Sequence, residues 1–200
     1  MNGRQEQKMA LLNSTQAPVY RALPQENAMR IVFYILLALA GSILITIAGQ
    51  IKVPFYPVPA TLQTLAIFAL SAAYGRKLAV ATLLLYLGQG ALGFPVFTGG
   101  AGLAYMAGPT GGYLLGFLVA SYIIGSAADR GWGNNPMKLF GAMLVAEFVI
   151  LLFGYLHLVN LFGFEKAWVY GVGLFIVTDL VKAALASAIV PAVTALFTRK

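Results

Sequence analysis

The stretch IVFYILLALAGSILITIAG, residues 31–49, contains no charged side chain. A helix crosses the hydrocarbon core of a bilayer with about 20 apolar residues, so this stretch predicts a membrane-spanning helix. The rest of the chain is similar: of 200 residues, 60% are hydrophobic and 10% are charged, and the mean hydropathy is +0.83. Soluble domains carry about 25% charged residues. The composition therefore excludes a soluble enzyme, a disordered chain and a nucleic-acid-binding domain.

Five more apolar stretches follow, separated by proline, glycine or basic residues. The six predicted spans are residues 31–49, 61–73, 78–92, 111–128, 139–162 and 168–197. The second and third are short for a bilayer, so we expect tilt or local thinning there. Residues 1–29 are the only long polar stretch and are predicted to be a mobile cytoplasmic tail. We predict an all-α integral membrane protein whose domain, residues 30–200, contains six transmembrane helices.

The connection at residues 93–110 is unusual because it is rich in glycine and proline and yet apolar. Irregular backbone at membrane depth is tolerated only where it is buried in protein or lines a cavity. We therefore predict that this glycine-rich segment, between the third and fourth helices, re-enters the bundle and caps it.

Basic residues are divided unequally between the two sides of the predicted bundle, and the net charge is +7. Two of them, Lys52 and Lys166, fall on one side. Ten fall on the other: Arg4, Lys8, Arg21, Arg30, Arg76, Lys77, Arg130, Lys138, Arg199 and Lys200. Cytoplasmic loops carry the excess of lysine and arginine. Both termini are therefore predicted to be cytoplasmic, in the cell inner (plasma) membrane.

Two ionisable residues, Asp179 and Lys182, lie inside the last span. Residues three apart share a helix face, and charges within a span usually face each other or a cavity. With the predicted topology they lie towards the outer half of the membrane. They are either an ion pair that fixes helix packing or the polar floor of an outward-facing pocket.

Other polar residues within the spans carry weaker signals. Glu147 is predicted to lie nearer the cytoplasmic end of its helix, where it reaches the interface or bonds a neighbouring helix. His157 is predicted near the outer end of the same helix. The chain has no cysteine and one histidine, which excludes thiolate sites and histidine-based metal clusters.

Small residues recur on two of the spans. Gly112, Gly116 and Ala120 are spaced by four, which lets two helix backbones approach closely, and they are predicted to pack inside the bundle. The similar face of Ala38, Gly41 and Ser42 is predicted to dock a partner protein, with packing against the chain's own helices as the alternative.

Four local strings together resemble one family. They are PVPATLQTL at 57–65, ALGFPVFTGGAG at 91–102, GPTGGY at 108–113 and DLVKA at 179–183. The sequence resembles BioY, the biotin-specific substrate-binding (S) component of energy-coupling factor (ECF) transporters, from about Ile31 to the C-terminus. The resemblance implies the ECF S-component fold. It also implies a membrane-bound biotin-binding subunit, worked by a transmembrane coupling (T) subunit and two ABC-type ATPases.

The chemistry of biotin suits residues in these strings. Lys182 can donate a hydrogen bond to the ureido carbonyl, and Asp179 can accept one from a ureido N–H. The remaining candidates supply loop backbone, apolar wall and further polar groups: Phe97, Thr98, Gly99, Gly100, Ala101, Tyr113, Tyr86 and Gln63. No cofactor is expected, with biotin as the transported ligand, and the partners are the coupling subunit, the ATPases and lipid, with no nucleic acid.

Two other classes of function stay open at this point. A self-sufficient secondary transporter of a small vitamin-like solute would need a coupling-ion path, for which Glu147 is the spare intramembrane acid. An intramembrane enzyme would have to rely on Asp179 with Glu147, and their predicted depths differ. An ATP-dependent function requires other chains, because the sequence has no phosphate-binding loop followed by Gly-Lys-Ser/Thr.

Overall fold

The computed structural model describes residues 17–19 and 26–198, with side chains through Ala195. Most of the predicted tail therefore lies outside the described residues. The long helices are α1 (Asn27–Gln50), α2 (Gln63–Ala91), α4 (Gly111–Ala128), α5 (Pro136–Phe162) and α7 (Ile176–Thr198). Shorter elements connect them: β1 (Lys52–Val53), β2 (Ala60–Thr61), α3 (Gly102–Ala107), a 3₁₀ turn (Trp132–Asn134), α6 (Phe164–Trp168) and a π-helical turn (Val169–Gly173).

Helix α2 is a hairpin of two antiparallel arms. Its backbone is non-helical at Gly75, with φ 72° and ψ 173°, a conformation that favours glycine. The Gln63 Nε2 atom nevertheless donates a hydrogen bond to the Tyr86 hydroxyl over 2.7 Å. In one straight helix these residues would be about 34 Å apart. The chain therefore turns back at Gly75, inside the predicted turn at residues 74–77.

The number of membrane crossings stays a prediction. Five helical stretches among the described residues are long and apolar enough to cross a membrane, with α2 counted once and residues 164–195 counted as one. Counting both arms of α2 gives the six predicted segments. The arms are about 18 and 24 Å long, however, which is less than the ~30 Å of a bilayer core.

The helices form a bundle in which α2 lies between α1 and α4, and α7 contacts both α2 and α5. Large apolar side chains cover the outside, as shown by Ile43, Phe148 and Val177, which are 58%, 66% and 70% exposed. Buried hydroxyls such as those of Ser71, Thr82 and Ser121 lie inside. An apolar exterior of this extent indicates a lipid-facing surface.

Helices α4 and α5 cross closely because α4 presents glycine to the α5 backbone. A Cβ on Gly112 would lie 2.4 Å from the Phe153 carbonyl oxygen, and one on Gly116 would lie 2.8 Å from the Ile150 Cα. Ala120, on the same face, is fully buried. The predicted internal packing of these small residues is confirmed.

Two elements differ from the sequence prediction. The segment 93–110 is not wholly irregular, since α3 forms a little less than two turns within it. The last span is not one continuous helix either: α6, the π-helical turn and the turn at 174–175 precede α7. Gly171 and Gly173 weaken helix formation there.

The prediction that the small-residue face of α1 docks a partner protein is also wrong. Ala38, Gly41 and Ser42 are buried against the chain's own hairpin α2. A Cβ on Gly41 would lie 2.7 Å from the Thr82 Cγ2 atom, and the Ser42 hydroxyl donates a hydrogen bond to the Gln89 side chain. Small residues serve here to bring two helices of one chain together, as they do between α4 and α5.

Replacing Ser42 with tryptophan tests this packing. Ser42 is 1% exposed, so the larger side chain must displace α1 from α2, at a cost of about 1–3 kcal/mol or more. We expect the melting temperature in detergent to fall by several degrees, at about 2–4 °C per kcal/mol for a chain of this size. The matched control is Ile43→Trp, because Ile43 points outwards. Equal stability of the two variants would contradict the packing.

Candidate ligand-binding cavity

A buried ion pair lies on the inner face of α7. The Lys182 Nζ atom is 2.5 Å from Asp179 Oδ1, and the two residues are 8% and 3% exposed. The Thr64 hydroxyl, at the start of α2, donates to the same carboxylate oxygen over 3.2 Å and lies 3.3 Å from Lys182 Nζ. The pair is thus neutral as a unit and tied to a second helix.

A second polar group joins both arms of α2 to the glycine-rich segment. Gln63 donates to the Tyr86 hydroxyl and accepts a hydrogen bond from the Thr98 hydroxyl over 3.0 Å. The Tyr86 hydroxyl donates to the Val96 carbonyl over 3.3 Å. These bonds hold the segment over the open end of the hairpin, so the predicted capping arrangement is present.

Phe97 occupies the centre of the cap and is 2% exposed. Its ring meets the Tyr86 ring edge-on at 5.5 Å and stacks on the Tyr105 ring at 5.1 Å. A Cβ on Gly90 would overlap the Phe97 ring at 1.9 Å. Glycine at position 90 therefore provides the space that Phe97 fills.

Tyr113 forms the opposite wall, between α5 and the π-helical turn. Its hydroxyl donates to the Gly171 carbonyl over 2.6 Å. A Cβ on Gly154 would lie 2.3 Å from the Tyr113 ring, and one on Gly171 would lie 2.9 Å from its hydroxyl. Gly154 and Gly171 thus leave space for the tyrosine, and the Gly171 carbonyl holds its hydroxyl.

These groups enclose a cavity in which the centre of a water molecule can move through about 40 Å³. Its lining is Val58, Pro59, Thr61, Gln63, Thr64, Tyr86, Phe97, Thr98, Tyr105, Thr110, Tyr113, Leu114, Phe117, Ile150, Leu151, Phe175, Asp179 and Lys182. The cavity is apolar apart from the ion pair and a few hydroxyl and amide groups. Such a lining is typical of small-molecule sites.

A wider vestibule of about 460 Å³ lies above the cavity, between the proline-rich loop 54–59 and the glycine-rich segment. The two spaces share Pro59, Thr98, Tyr105 and Thr110. Lys52 lines the vestibule, and its Nζ atom donates to the Thr98 carbonyl over 2.5 Å. The outer part of the site is therefore cationic.

Most of the predicted ligand residues meet at this cavity. Those that line it are Gln63, Tyr86, Phe97, Thr98, Tyr113, Asp179 and Lys182. Gly99 lines the vestibule instead, and Gly100 and Ala101 line neither space. Gly100 faces the Tyr105 ring and forms a bridge with Phe97, and Ala101 is the extended residue before α3. The glycine-rich segment therefore contributes side chains to the cavity, such as those of Phe97 and Thr98, and none of its glycines lines that cavity.

Sequence reasoning missed several lining residues. Thr64 immediately follows Gln63 in the PVPATLQTL string, but its partner Asp179 is 115 residues away and no local pattern links them. Phe175 and Tyr105 look like ordinary apolar positions in the sequence. The sequence analysis uses Lys52 only in the count of basic residues that predicts topology, so it does not predict that Lys52 lines the vestibule.

Two further polar residues, His157 and Glu147, lie on α5. The His157 Nε2 atom lies 2.9 Å from the Gly108 carbonyl oxygen, so His157 holds the end of the glycine-rich segment against α5. Glu147 is 6% exposed, and the difference in depth between Glu147 and Asp179 stays a prediction. Glu147 lies near the middle of α5, and neither of its carboxyl oxygens has a hydrogen-bond partner in the described part of the chain.

The described part of the chain contains no group of three His, Cys, Asp or Glu side chains that could hold a metal ion. The polar side chains that line the cavity are one lysine, one aspartate, one glutamine, four threonines and three tyrosines. They can donate to a carbonyl oxygen and accept from an N–H group at the same end of a small molecule.

The apolar exterior of the helical bundle is that of an integral membrane protein. The cavity at one end, with an ion pair among apolar side chains, is typical of a protein that binds a small molecule. The BioY family profile matches residues 21–199. The chain belongs to the BioY family.

Named relatives agree with this assignment. A probable biotin transporter BioY from Pyrococcus horikoshii is 41% identical over 144 residues, which cover 72% of this chain and 85% of the relative. The biotin transporter BioY of Thermotoga maritima is 32% identical over 151 residues, which cover 73% and 86%.

The fold matches a solved structure. The crystal structure at 2.1 Å of the S-component for biotin from an ECF-type ABC transporter superimposes with a TM-score of 0.72 and 23% identity. The match covers 85% of this chain and 94% of the other. The predicted ECF S-component fold is confirmed.

Replacing Gly154 with alanine tests the placement of Tyr113. The added Cβ collides with the tyrosine ring, so we expect the melting temperature to fall by several degrees. The matched control is Gly141→Ala on the same helix, where nothing lies within 4 Å. That variant should be neutral or more stable, because alanine favours helix over glycine by about 1 kcal/mol. Destabilisation by both substitutions alike would contradict a specific role for Gly154.

Proposed function

We propose that this chain is the biotin-binding S component of an ECF transporter and captures biotin on the outer face of the membrane. The observation that carries the proposal is the Asp179–Lys182 pair at the floor of the capped cavity, joined by Thr64. The family assignment and the names of the relatives support the choice of ligand. Nothing in the site favours a self-sufficient secondary transporter.

The ureido ring of biotin has one carbonyl acceptor and two N–H donors. In the proposed complex Lys182 donates to the carbonyl, and Asp179 accepts from one N–H. Before binding the two side chains satisfy each other, which limits the cost of keeping charges in an apolar bundle. Phe97, Tyr86 and Tyr113 then enclose the apolar bicycle.

Binding requires the cap to move. Ligand pockets have volumes of roughly 300–1,000 Å³, and the inner cavity offers about 40 Å³. Phe97 and Tyr105 stack on each other between the cavity and the vestibule. We infer that displacement of this aromatic pair joins the two spaces and admits the bicycle.

Import itself is assigned to partners. We propose a transmembrane coupling subunit and two ABC-type ATPases, because the sequence offers no nucleotide-binding motif of its own. The chain is proposed to bind and deliver biotin without chemical change, so it is not an enzyme. Biotin recovered from the purified protein should therefore be unaltered.

Calorimetric titration of the detergent-purified protein with biotin tests the binding function. Lys182→Ala removes a charged donor, worth about 1.5–3 kcal/mol, which corresponds to about tenfold to hundredfold weaker binding. Asp179→Asn keeps the shape of the side chain and should weaken binding with less loss of stability. The matched control is the exposed Lys166→Ala. Unchanged affinity in both site variants would mean that the pair is only structural.

Lys52 is proposed to attract the valerate carboxylate of biotin, which points into the vestibule when the ureido ring reaches Lys182. The Lys52 side chain is exposed, so the interaction is worth up to about 1 kcal/mol, or about fivefold in affinity. Lys52→Ala should weaken binding of biotin by that factor and leave binding of the neutral biotin amide unchanged. An equal loss for both ligands would contradict a charge interaction.

Both termini are proposed to be cytoplasmic. The hairpin turn of α2 and the end of α4 meet at one end of the bundle, where the Arg76 backbone N–H donates to Asp129 over 3.1 Å. Lys52 lies at the other end, beside the cap. The chain has no native cysteine, so single cysteines can report sidedness. An impermeant thiol reagent should label Lys166→Cys and not Lys77→Cys in intact cells, and the reverse pattern would invert the topology.

A further inference from the structure

Gln63, the first residue of α2, joins the hairpin to the glycine-rich segment. Its amide nitrogen donates a hydrogen bond to the Tyr86 hydroxyl over 2.7 Å, and its amide oxygen accepts one from the Thr98 hydroxyl over 3.0 Å. The Tyr86 hydroxyl in turn donates to the Val96 carbonyl over 3.3 Å. Both ends of one amide group therefore reach the glycine-rich segment, one directly and one through Tyr86.

The direction of these bonds gives the Gln63 amide a single orientation. A phenol carries one proton, and because Tyr86 donates that proton to Val96, the Tyr86 oxygen accepts from Gln63. The amide nitrogen then faces Tyr86, and the amide oxygen faces Thr98. The side chain is 4% exposed and packs directly on α1, where a Cβ on Gly49 would lie 2.8 Å from its Nε2 atom.

The two residues that receive these bonds, Val96 and Thr98, lie on either side of Phe97. The same stretch of backbone is also held from α1 and β1. Gln50 donates to the Phe97 carbonyl over 3.5 Å, and Lys52 donates to the Thr98 carbonyl over 2.5 Å. The Phe97 ring is therefore carried by a backbone that is bonded to the bundle before it and after it.

Displacement of Phe97 is the step by which the inner cavity is proposed to open. The Phe97 ring lies in the space that Gly90 leaves on α2, and it packs against the rings of Tyr86 and Tyr105. A ring that is 2% exposed and enclosed in this way leaves its place together with the backbone that carries it. Such a movement at residues 96–98 has to break the hydrogen bonds made by Gln63 and Tyr86.

We propose that Gln63 is a positioning residue that holds Phe97 in place, and that its hydrogen bonds set the rate at which the cavity opens. The side chains of Gln63, Tyr86 and Thr98 with the Val96 carbonyl are called the clamp below. A closed cavity does not admit ligand, so association depends on the fraction of molecules whose clamp is open. A bound ligand leaves only when the clamp opens again, so the same bonds slow its release. The part of this proposal that concerns biotin rests on the proposed function.

The rates of binding and release of radiolabelled biotin test the clamp in the detergent-purified protein. Gln63→Met keeps the length of the side chain and loses both of its hydrogen bonds, each worth about fivefold in an equilibrium. We expect the association and dissociation rate constants both to rise by about tenfold or more. A residue that only contacted biotin would change the dissociation rate alone, and a general loss of structure would lower the association rate. Either of these results, or unchanged rates, would overturn the proposal.

The matched control is Gln89→Met on the second arm of α2. The Gln89 side chain accepts a hydrogen bond from the Ser42 hydroxyl, so this variant also loses a bond between α1 and α2, but none that belongs to the clamp. Its rates should equal those of the wild type, and an equal acceleration would contradict the clamp. Thr98→Val removes only the hydroxyl that Gln63 accepts from, and it should raise both rates about fivefold. This variant decides the question if Gln63→Met does not fold.

Thiol labelling tests the clamp without any ligand. The chain has no native cysteine, and Leu114 is 3% exposed and lines the inner cavity but not the vestibule. Leu114→Cys should react with a small methanethiosulfonate reagent at a rate set by the open fraction, and the addition of Gln63→Met should speed this reaction about tenfold. An unchanged labelling rate would overturn the proposal. If labelling is faster but the wild-type protein does not bind biotin, the proposed function fails and the clamp stands.

Discussion

The ion pair between Lys182 and Asp179 is the constraint on which the rest of the cavity depends. Taking two charges into an apolar bundle is costly, and the cost is offset only where geometry and additional hydrogen bonds are good. Thr64 supplies one such bond from α2, which ties the last helix to the first arm of the hairpin. The pair thus fixes the relative position of α2 and α7, and the open end of the hairpin becomes the place for the cap.

Glycine at helix contacts makes the remaining walls possible. Without a hydrophobic force between helices in lipid, close packing has to hold the bundle together. Gly112 and Gly116 bring α4 against α5, Gly41 admits Thr82 between α1 and α2, and Gly90 makes room for Phe97. The same device therefore serves both the stability of the bundle and the shape of the cavity.

Much of this architecture is readable in the sequence, because membrane helices carry strong local signals. The apolar stretches, the turn at Gly75 and the Asp179–Lys182 pair follow from composition and from spacing along one helix. Contacts across the bundle do not. The side of α1 that carries Ser42 looks the same whether a partner or the chain's own hairpin covers it. The break of the last predicted span into α6, the π-helical turn and α7 does not follow from hydrophobic spacing alone. The ligand itself was predicted through family resemblance, since an acid and a lysine suit many small molecules.

The central claim is that the ureido ring of biotin lies on the Asp179–Lys182 pair beneath the cap. A crystal structure of the protein with biotin is the most direct measurement. The account predicts the ureido oxygen within about 3 Å of the Lys182 ammonium, an N–H directed at the Asp179 carboxylate, and the valerate in the vestibule near Lys52. Biotin bound in the reverse orientation, with its carboxylate on Lys182, or bound outside this cavity, would contradict it.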